Sequence, residues 1–285
     1  MGATRLDLSG NSFGSARLSR RSAVRMLAGA ATVAAGSAIL ASCGASPAAS
    51  GTQAGGAAAG SASTAAAAPG ALAVSAGTGG ASKDWFNVVG NQIAVVFRGD
   101  DMWGTADTFT YLNQKAAGAG TWSVFVSAQD NTNSWAKAGI MARSSLDPTS
   151  ADVIACVTPG NGTNLQYRET TGDNEGTTNT DYQVYDAGAT APLWVKLSTD
   201  GNGNWTAWDS PDGKTWGNMT TGAQDPVVLG STYLIGLAAC AHDNTQHGVA
   251  TFSGLSGFKT NTFSCDLVGT NDTMTAPTTP PVPGA

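Results

Sequence analysis

Short runs of alternating apolar and polar residues constrain the fold of this chain more than any other feature. In Thr121–Ala128, four side chains share one face: Trp122, Val124, Val126 and Ala128. This period of two residues is typical of a strand with one buried face, and it recurs in Lys137–Ser144, Asn164–Glu169 and Leu193–Ser198. Turn sequences separate the runs, namely Pro159–Gly162, Asp200–Gly203 and Asp212–Gly213. The pattern predicts an all-β fold, a sandwich or a barrel.

Composition divides the chain into four parts. Residues 43–82 are almost wholly Ala, Gly, Ser and Thr, without apolar periodicity, and predict a flexible disordered tether. Residues 263–285 end in a Thr/Pro-rich stretch that predicts a disordered tail. Residues 83–262 remain as the folded domain, long enough for one sizeable core.

Residues 1–42 have the features of an export signal. Arg20 and Arg21 form an adjacent pair, and a weakly apolar stretch follows from Met26 to Leu40. This arrangement predicts a twin-arginine signal peptide. Ala23 stands where Phe is common in such signals, so export by the general pathway stays open.

The leader ends at a site typical of bacterial lipoproteins. Leu40, Ala41 and Ser42 precede Cys43, which resembles a lipobox in which the cysteine receives diacylglycerol. The apolar stretch has about 15 residues, whereas a membrane-spanning helix needs about 20. The sequence therefore predicts an exported protein, lipid-anchored at Cys43, with its domain outside the cytoplasm at the cell surface or in the periplasm.

Charge excludes one class of partner. Five of the 14 basic residues but only one of the 20 acidic residues precede Cys43, so the rest of the chain is strongly acidic. Nucleic acid is a poor partner for such a chain, since its binding depends on Lys and Arg at phosphates. Anionic lipid is an equally poor electrostatic partner, which leaves the lipid anchor as the only membrane attachment.

A series of motifs along the domain resembles a known family. The motifs that carry the resemblance are Asp101–Phe109, Asn131–Arg143, Thr158–Gly162, Gln166–Arg168, Trp194–Leu197, Ser210–Trp216, Gly236–Ala238, His242 and Ala250–Phe252. Their order resembles the regulation-of-enolase-like bacterial modules of the concanavalin A-like lectin/glucanase superfamily. The resemblance implies a jelly-roll sandwich of two antiparallel sheets, one of them concave.

No catalytic or metal site is predicted. Glucanases of that superfamily carry a Glu-x-Asp-x-x-Glu motif, but the two glutamates of this chain, Glu169 and Glu175, do not form it. Asp200–Asn204 superficially resembles a calcium loop, yet it lacks the terminal Glu and is better interpreted as a tight turn. We expect no enzyme activity, no cofactor and no metal.

A carbohydrate ligand is the sharper positive hypothesis, because sugars stack on aromatic faces while fixed polar groups bind their hydroxyls. The polar side of the predicted strands and three loop residues supply the candidates: Trp103, Trp135, Lys137, Arg143, Gln166, Arg168, Trp194, Lys196 and His242. In the alternative interpretation the arginines pair with Asp101 or Asp107, and the tryptophans are packing residues. The competing functions are a structural or partner-binding envelope lipoprotein and, with less support, a glycoside hydrolase.

Three cysteines remain after Cys43, and an oxidising compartment permits a disulfide between two of them. Both Cys156–Cys240 and Cys240–Cys265 are compatible with the sequence.

Overall fold

A computed structural model describes residues 71–77, 81, 83–174, 183–184, 186–220, 226–269 and 275–283. The export signal with Arg20 and Arg21, the lipidation site Cys43, most of the tether and Glu175 lie outside the described residues. No helix in the described ranges has the length and apolarity needed to span a bilayer.

The described chain forms fifteen strands and one short 3₁₀ helix, Lys83–Trp85. In chain order the strands are β1 Ala73–Ala76, β2 Phe86–Val89, β3 Gln92–Phe97, β4 Phe109–Ala116, β5 Gly120–Gln129, β6 Lys137–Arg143, β7 Asp152–Val157, β8 Thr163–Arg168, β9 Gln183–Val184, β10 Leu193–Thr199, β11 Trp205–Ser210, β12 Gly217–Asn218, β13 Tyr233–Cys240, β14 Gly248–Ser256 and β15 Thr262–Val268. The four strands predicted from alternation correspond to β5, β6, β8 and β10, and each predicted turn joins two strands.

The strands build two sheets that pack face to face. One has eight strands in the order β1-β15-β4-β13-β6-β7-β8-β9, and the other has seven in the order β12-β11-β10-β5-β14-β3-β2. All pairs are antiparallel except β1 with β15. Consecutive strands lie in different sheets at eight places, as in a jelly roll: β1–β2, β3–β4, β4–β5, β5–β6, β9–β10, β12–β13, β13–β14 and β14–β15. The predicted all-β jelly-roll sandwich of two antiparallel sheets is confirmed.

The core lies between the sheets and is filled by the apolar faces of the strands. Val124 and Val126 of β5, Val195 and Leu197 of β10, and Ile140 of β6 are fully buried there. Alternation places Lys137, Met141 and Arg143 of β6 on the opposite, outer face of the eight-stranded sheet. That outer face is also covered, because Met102 and Leu146 pack on it.

The strands extend beyond the expected domain limits of 83 and 262. β1 lies in the segment predicted as tether and pairs with β15, and β15 lies in the segment predicted as tail. The tail itself returns to the sandwich, where the Asn87 side-chain amide donates to the Pro281 carbonyl oxygen at 3.0 Å and Pro281 is buried. The sequence pattern missed β1 because its Ala-Val-Ser-Ala stretch has little side-chain surface to bury.

No disulfide joins the cysteines of the described chain. Cys156 of β7 and Cys240 of β13 face outward from the eight-stranded sheet with β6 between them, whereas Cys265 of β15 faces the core. Strands lie about 4.8 Å apart, so two strands separated by a third hold their Cα atoms farther apart than a disulfide spans. Neither bridge considered from the sequence forms.

Candidate functional site

Two polar clusters lie on the outer face of the eight-stranded sheet. The open pocket is lined by Asp101, Trp103, Trp135, Lys137, Gln166 and His242. The closed cluster consists of Arg143, Arg168, Asp107 and Asp152. Seven of the nine ligand-binding candidates belong to one of these two clusters, five to the pocket and two to the closed cluster.

Strand ends and loops bring the pocket residues together. Lys137 begins β6 and Gln166 lies in β8, both on the outer face of the sheet. Trp103 lies between β3 and β4, Trp135 between β5 and β6, and His242 follows β13. The resulting cavity has a volume of about 320 Å³, within the range of small-molecule sites. Both tryptophans are half-buried, so part of each ring stays accessible.

Asp101 organises the charged side of the pocket. Its Oδ1 accepts hydrogen bonds from the Lys137 ammonium and from the Met102 backbone N–H, the latter at 2.8 Å. Its Oδ2 lies 3.0 Å from His242 Nδ1. Burial opposes ionisation of this carboxyl, but His242 and Lys137 outweigh burial and hold the pKa of Asp101 below its usual value. Asp101 is therefore a fixed carboxylate with both oxygens engaged.

Lys137 is almost completely buried despite its charge, with 2% of its surface exposed. Burial disfavours its ammonium form, yet the Asp101 carboxylate in contact with it has the larger effect, and the pKa of Lys137 is raised. Cys240 lies 4.0 Å from Asp101 Oδ1, and burial raises the pKa of its thiol to about 12. The lysine is thus a permanent cation beside a protonated thiol.

His242 has an unusual backbone conformation for a residue with a side chain. Its φ is +50°, in the left-handed region, which residues other than Gly adopt infrequently and which Asn, Asp and His adopt most often among them. Backbone strain of this kind concentrates at binding and catalytic sites, where the surrounding structure holds it in place. Here the strained turn directs the imidazole to Asp101.

The closed cluster consists of three side chains aligned across neighbouring strands and a fourth that covers them. The register aligns Arg143 of β6, Asp152 of β7 and Arg168 of β8 side by side. Asp107, from the loop before β4, accepts hydrogen bonds from Arg143 at 2.9 Å and from both terminal nitrogens of Arg168 at 2.9 and 2.6 Å. All four side chains are fully buried. Arg168 also donates to the Gly104 carbonyl oxygen, which fixes the loop that carries Trp103.

These contacts correct part of the predicted site. Arg143 and Arg168 were expected to contact a ligand, and for both that expectation is wrong, because they have no exposed surface and their guanidinium groups bind carboxylates. The alternative pairing with Asp107 is the one observed. The sequence left both interpretations open, because it does not show that Asp107 folds over the sheet.

Trp194 and Lys196 were expected on the same face as Lys137 and Gln166, and this is also wrong. Both lie on β10 in the seven-stranded sheet, on the far side of the sandwich. Trp194 packs against Phe125, with ring centroids 5.2 Å apart. The Lys196 ammonium lies 4.7 Å from the ring centre of Trp208 and 3.8 Å from that of Trp216. Alternation predicts which face of its strand a residue occupies, but it does not predict which of the two sheets contains that strand.

The Asp200 loop is a turn stabilised by its own hydrogen bonds. Asp200 Oδ1 accepts from the backbone N–H groups of Asn202 and Asn204, and Oδ2 accepts from the Asn204 side chain at 2.7 Å. These are the contacts of an Asx turn. Within the described ranges no group of three or more His, Cys, Asp or Glu residues has a metal-binding arrangement.

No family model and no curated protein matches the chain. Among solved structures, it is similar to a functionally unknown protein from Saccharomyces cerevisiae (21% identity, TM-score 0.47, 62% of this chain and 92% of that one). It is also similar to the exoplasmic/lumenal domain of VIP36 in a form bound to Ca²⁺ and Man3GlcNAc (12%, 0.31, 59% and 80%) and to the Emp47p carbohydrate recognition domain (11%, 0.29, 60% and 86%). With TM-scores below 0.5, these likenesses assign neither a ligand nor an activity to this chain.

Proposed function

We propose that this chain is an exported lipoprotein, anchored through Cys43, whose β-sandwich binds carbohydrate without catalysing a reaction. The observation that carries the proposal is the pocket itself, which combines two half-exposed tryptophans with a rigid carboxylate, an amide, an imidazole and an ammonium. Pyranose rings stack on aromatic faces, and fixed polar groups of both donor and acceptor type bind their hydroxyls.

The rigidity of the pocket supports this proposal. Asp101 is held by three groups, and Arg168 pins the Gly104 carbonyl next to Trp103. A preorganised site binds a flexible, strongly hydrated ligand better, because the protein loses little conformational freedom on binding.

Retaining glycoside hydrolysis requires two carboxyl groups about 5–5.5 Å apart at the substrate. Among the described pocket residues Asp101 is the single carboxylate. Asp107 and Asp152 form a close pair, but both are fully buried and cannot reach a substrate. This arrangement supports binding over hydrolysis.

The proposal is tested with a glycan and polysaccharide array probed with the full-length chain, purified in detergent. The matched variants are Trp135→Ala in the pocket and Trp194→Ala on the opposite sheet. We expect saturable binding that falls at least tenfold in Trp135→Ala and persists in Trp194→Ala, since aromatic stacking on a sugar is lost only in the first. Loss confined to Trp194→Ala would move the site to the seven-stranded sheet. Absence of binding to every glycan would contradict the proposed function.

A further inference from the structure

The segment that leads into the sandwich from the side of Cys43 is fastened at one end of the eight-stranded sheet. It joins the fold at β1, where the Ala73 backbone N–H donates to the Asn261 carbonyl oxygen at 2.8 Å. Ala73 lies opposite Thr262, the first residue of β15, and Leu72 beside it packs against the core. This end of the sheet, at Ala73 and Thr262, is the entry end.

The strand registers show how far the pocket lies from the entry end. They connect one residue on each of five neighbouring strands into a row across the sheet: Ala76, Cys265, Leu112, Leu237 and Ile140. Ala73 lies three residues from this row towards the entry end, and Lys137 of the pocket lies three residues from it in the opposite direction. At about 3.3 Å per residue, Ala73 and Lys137 are about 20 Å apart along the strands.

The pocket is built around the end of the sheet opposite the entry end. Lys137 and Cys240, the first residue of β6 and the last residue of β13, pair with each other there. Trp135 and His242 lie two residues beyond them along the chain. Asp101 is at the same end because it contacts both Lys137 and His242.

We infer that the sandwich is held to the membrane by the end opposite its pocket, and that the pocket binds a glycan presented in trans, on a surface or polymer that faces the anchored membrane. The inference rests on the proposed function, because it needs both the anchor at Cys43 and the glycan-binding pocket. A glycan in the anchoring membrane itself is a poor ligand. To place the pocket on that membrane, the chain from Cys43 would have to run back along the sheet to its entry end.

The length of the tether sets the strength of this preference. Because β1 belongs to the fold, residues 44–70 are what remains between the anchor and the described sandwich. The sequence predicts this segment to be flexible, which gives it an r.m.s. end-to-end distance of about 30 Å. Running back along the sheet would use about 20 Å of that distance, whereas presentation in trans uses none of it. A shorter tether should therefore strengthen the preference.

The test places one label at each end of the sheet in the full-length lipidated chain, reconstituted in liposomes. Asp100→Cys introduces a thiol beside the pocket, and Lys259→Cys introduces one near the entry end; both positions are exposed. Cys156, Cys240 and Cys265 are buried, so a maleimide reagent should react with the introduced thiol. With a fluorescent donor on the protein and an acceptor dye on the lipid, we expect more energy transfer from position 259 than from position 100.

Deletion of residues 46–65 sharpens the comparison, because the shortened tether cannot run back along the sheet. With biotin as the label, streptavidin beads should capture shortened-tether liposomes labelled at position 100 roughly tenfold better than those labelled at position 259. The inference is wrong if energy transfer from position 100 equals or exceeds that from position 259, or if the beads capture both equally. A wild-type chain that stays in solution, as the Cys43→Ala control should, contradicts the proposed anchor itself.

Discussion

The closed cluster and the open pocket are built from the same kinds of residue on the same face of one sheet, yet they differ in how their polar atoms are partnered. In the closed cluster, Asp107 and Asp152 lie between two arginines, and no side chain has exposed surface. In the pocket, one carboxylate holds a lysine and a histidine, both tryptophans stay half-exposed, and the Gln166 oxygen is unsatisfied. The closed cluster is fully covered by protein, whereas the pocket is open to a further molecule.

This difference teaches that polar residue type does not distinguish a structural site from a binding site. Arginine is well suited to buried ion pairs because its planar group binds carboxylates through two nitrogens. Arg168 does this with Asp107 and also holds the Gly104 carbonyl. The closed cluster therefore positions the loop that carries Trp103, and it contributes to the pocket without touching a ligand.

The largest expected effect is the loss of stability when the closed cluster is broken. Asp107→Asn removes the carboxylate that both arginines share, and it leaves two buried cations with one carboxyl group. We expect the free energy of unfolding to fall by about 3–5 kcal/mol, measured by urea titration. Asp100→Asn is the matched control in the same loop, where the side chain is exposed, and it should stay within about 0.5 kcal/mol of wild type. A small effect of Asp107→Asn would show that the cluster does not stabilise the fold.

The Asp152 carboxyl group of the closed cluster should make the stability of the protein depend on pH. Burial and the Asp107 carboxylate raise the pKa of Asp152 to about 8, against the effect of the arginines, and its Oδ1 meets no donor among the described residues. The folded state then keeps a proton that the unfolded state releases near pH 4. Stability from this group is present at low pH and is lost as pH rises from about 4 to about 8, by at most about 1.4 kcal/mol per pH unit.

Urea titrations of the wild type and Asp152→Asn across this pH range test the predicted pH dependence. Asn resembles the protonated acid, so the variant should lack the decline attributed to Asp152 and should cost less at neutral pH than Asp107→Asn. A variant that is as unstable as Asp107→Asn, with an unchanged pH dependence, would show that Asp152 is ionised in the folded protein.

The sequence predicted most of the fold because period-two alternation is a local property. The runs around Val124, Ile140 and Val195 each became strands with the expected buried face. β1 could not be predicted in the same way, because its four residues are mostly exposed and gain their structure from pairing with β15. A local pattern predicts that a segment forms a strand. Which strand it pairs with, when the partner is more than 180 residues away, depends on the whole fold.

The candidate site was predicted only in part, for a related reason. Trp103, Trp135 and His242 were placed in loops near the polar face, and the structure brings them to the pocket with Lys137 and Gln166. The loop at 100–107 determines which polar groups are covered. Its Asp107 binds and covers the two arginines, and its Asp101 lines the pocket. Asp101 is the pocket residue that the sequence did not select, although it directly precedes the Met102–Trp103 pair.

The smallest expected effect is a gain in the free energy of unfolding, opposite in sign to the loss expected when the closed cluster is broken. Gln166→Met exchanges a buried, unsatisfied amide for an apolar side chain of similar length, so it removes an unfavourable polar group instead of a partner. We expect the free energy of unfolding without ligand to rise by up to about 1 kcal/mol, while Gln92→Met on the other sheet changes little. A fall in stability comparable to that of Asp107→Asn would mean that Gln166 belongs, like the arginines, to a complete internal network, and that the open pocket and the closed cluster do not differ in kind.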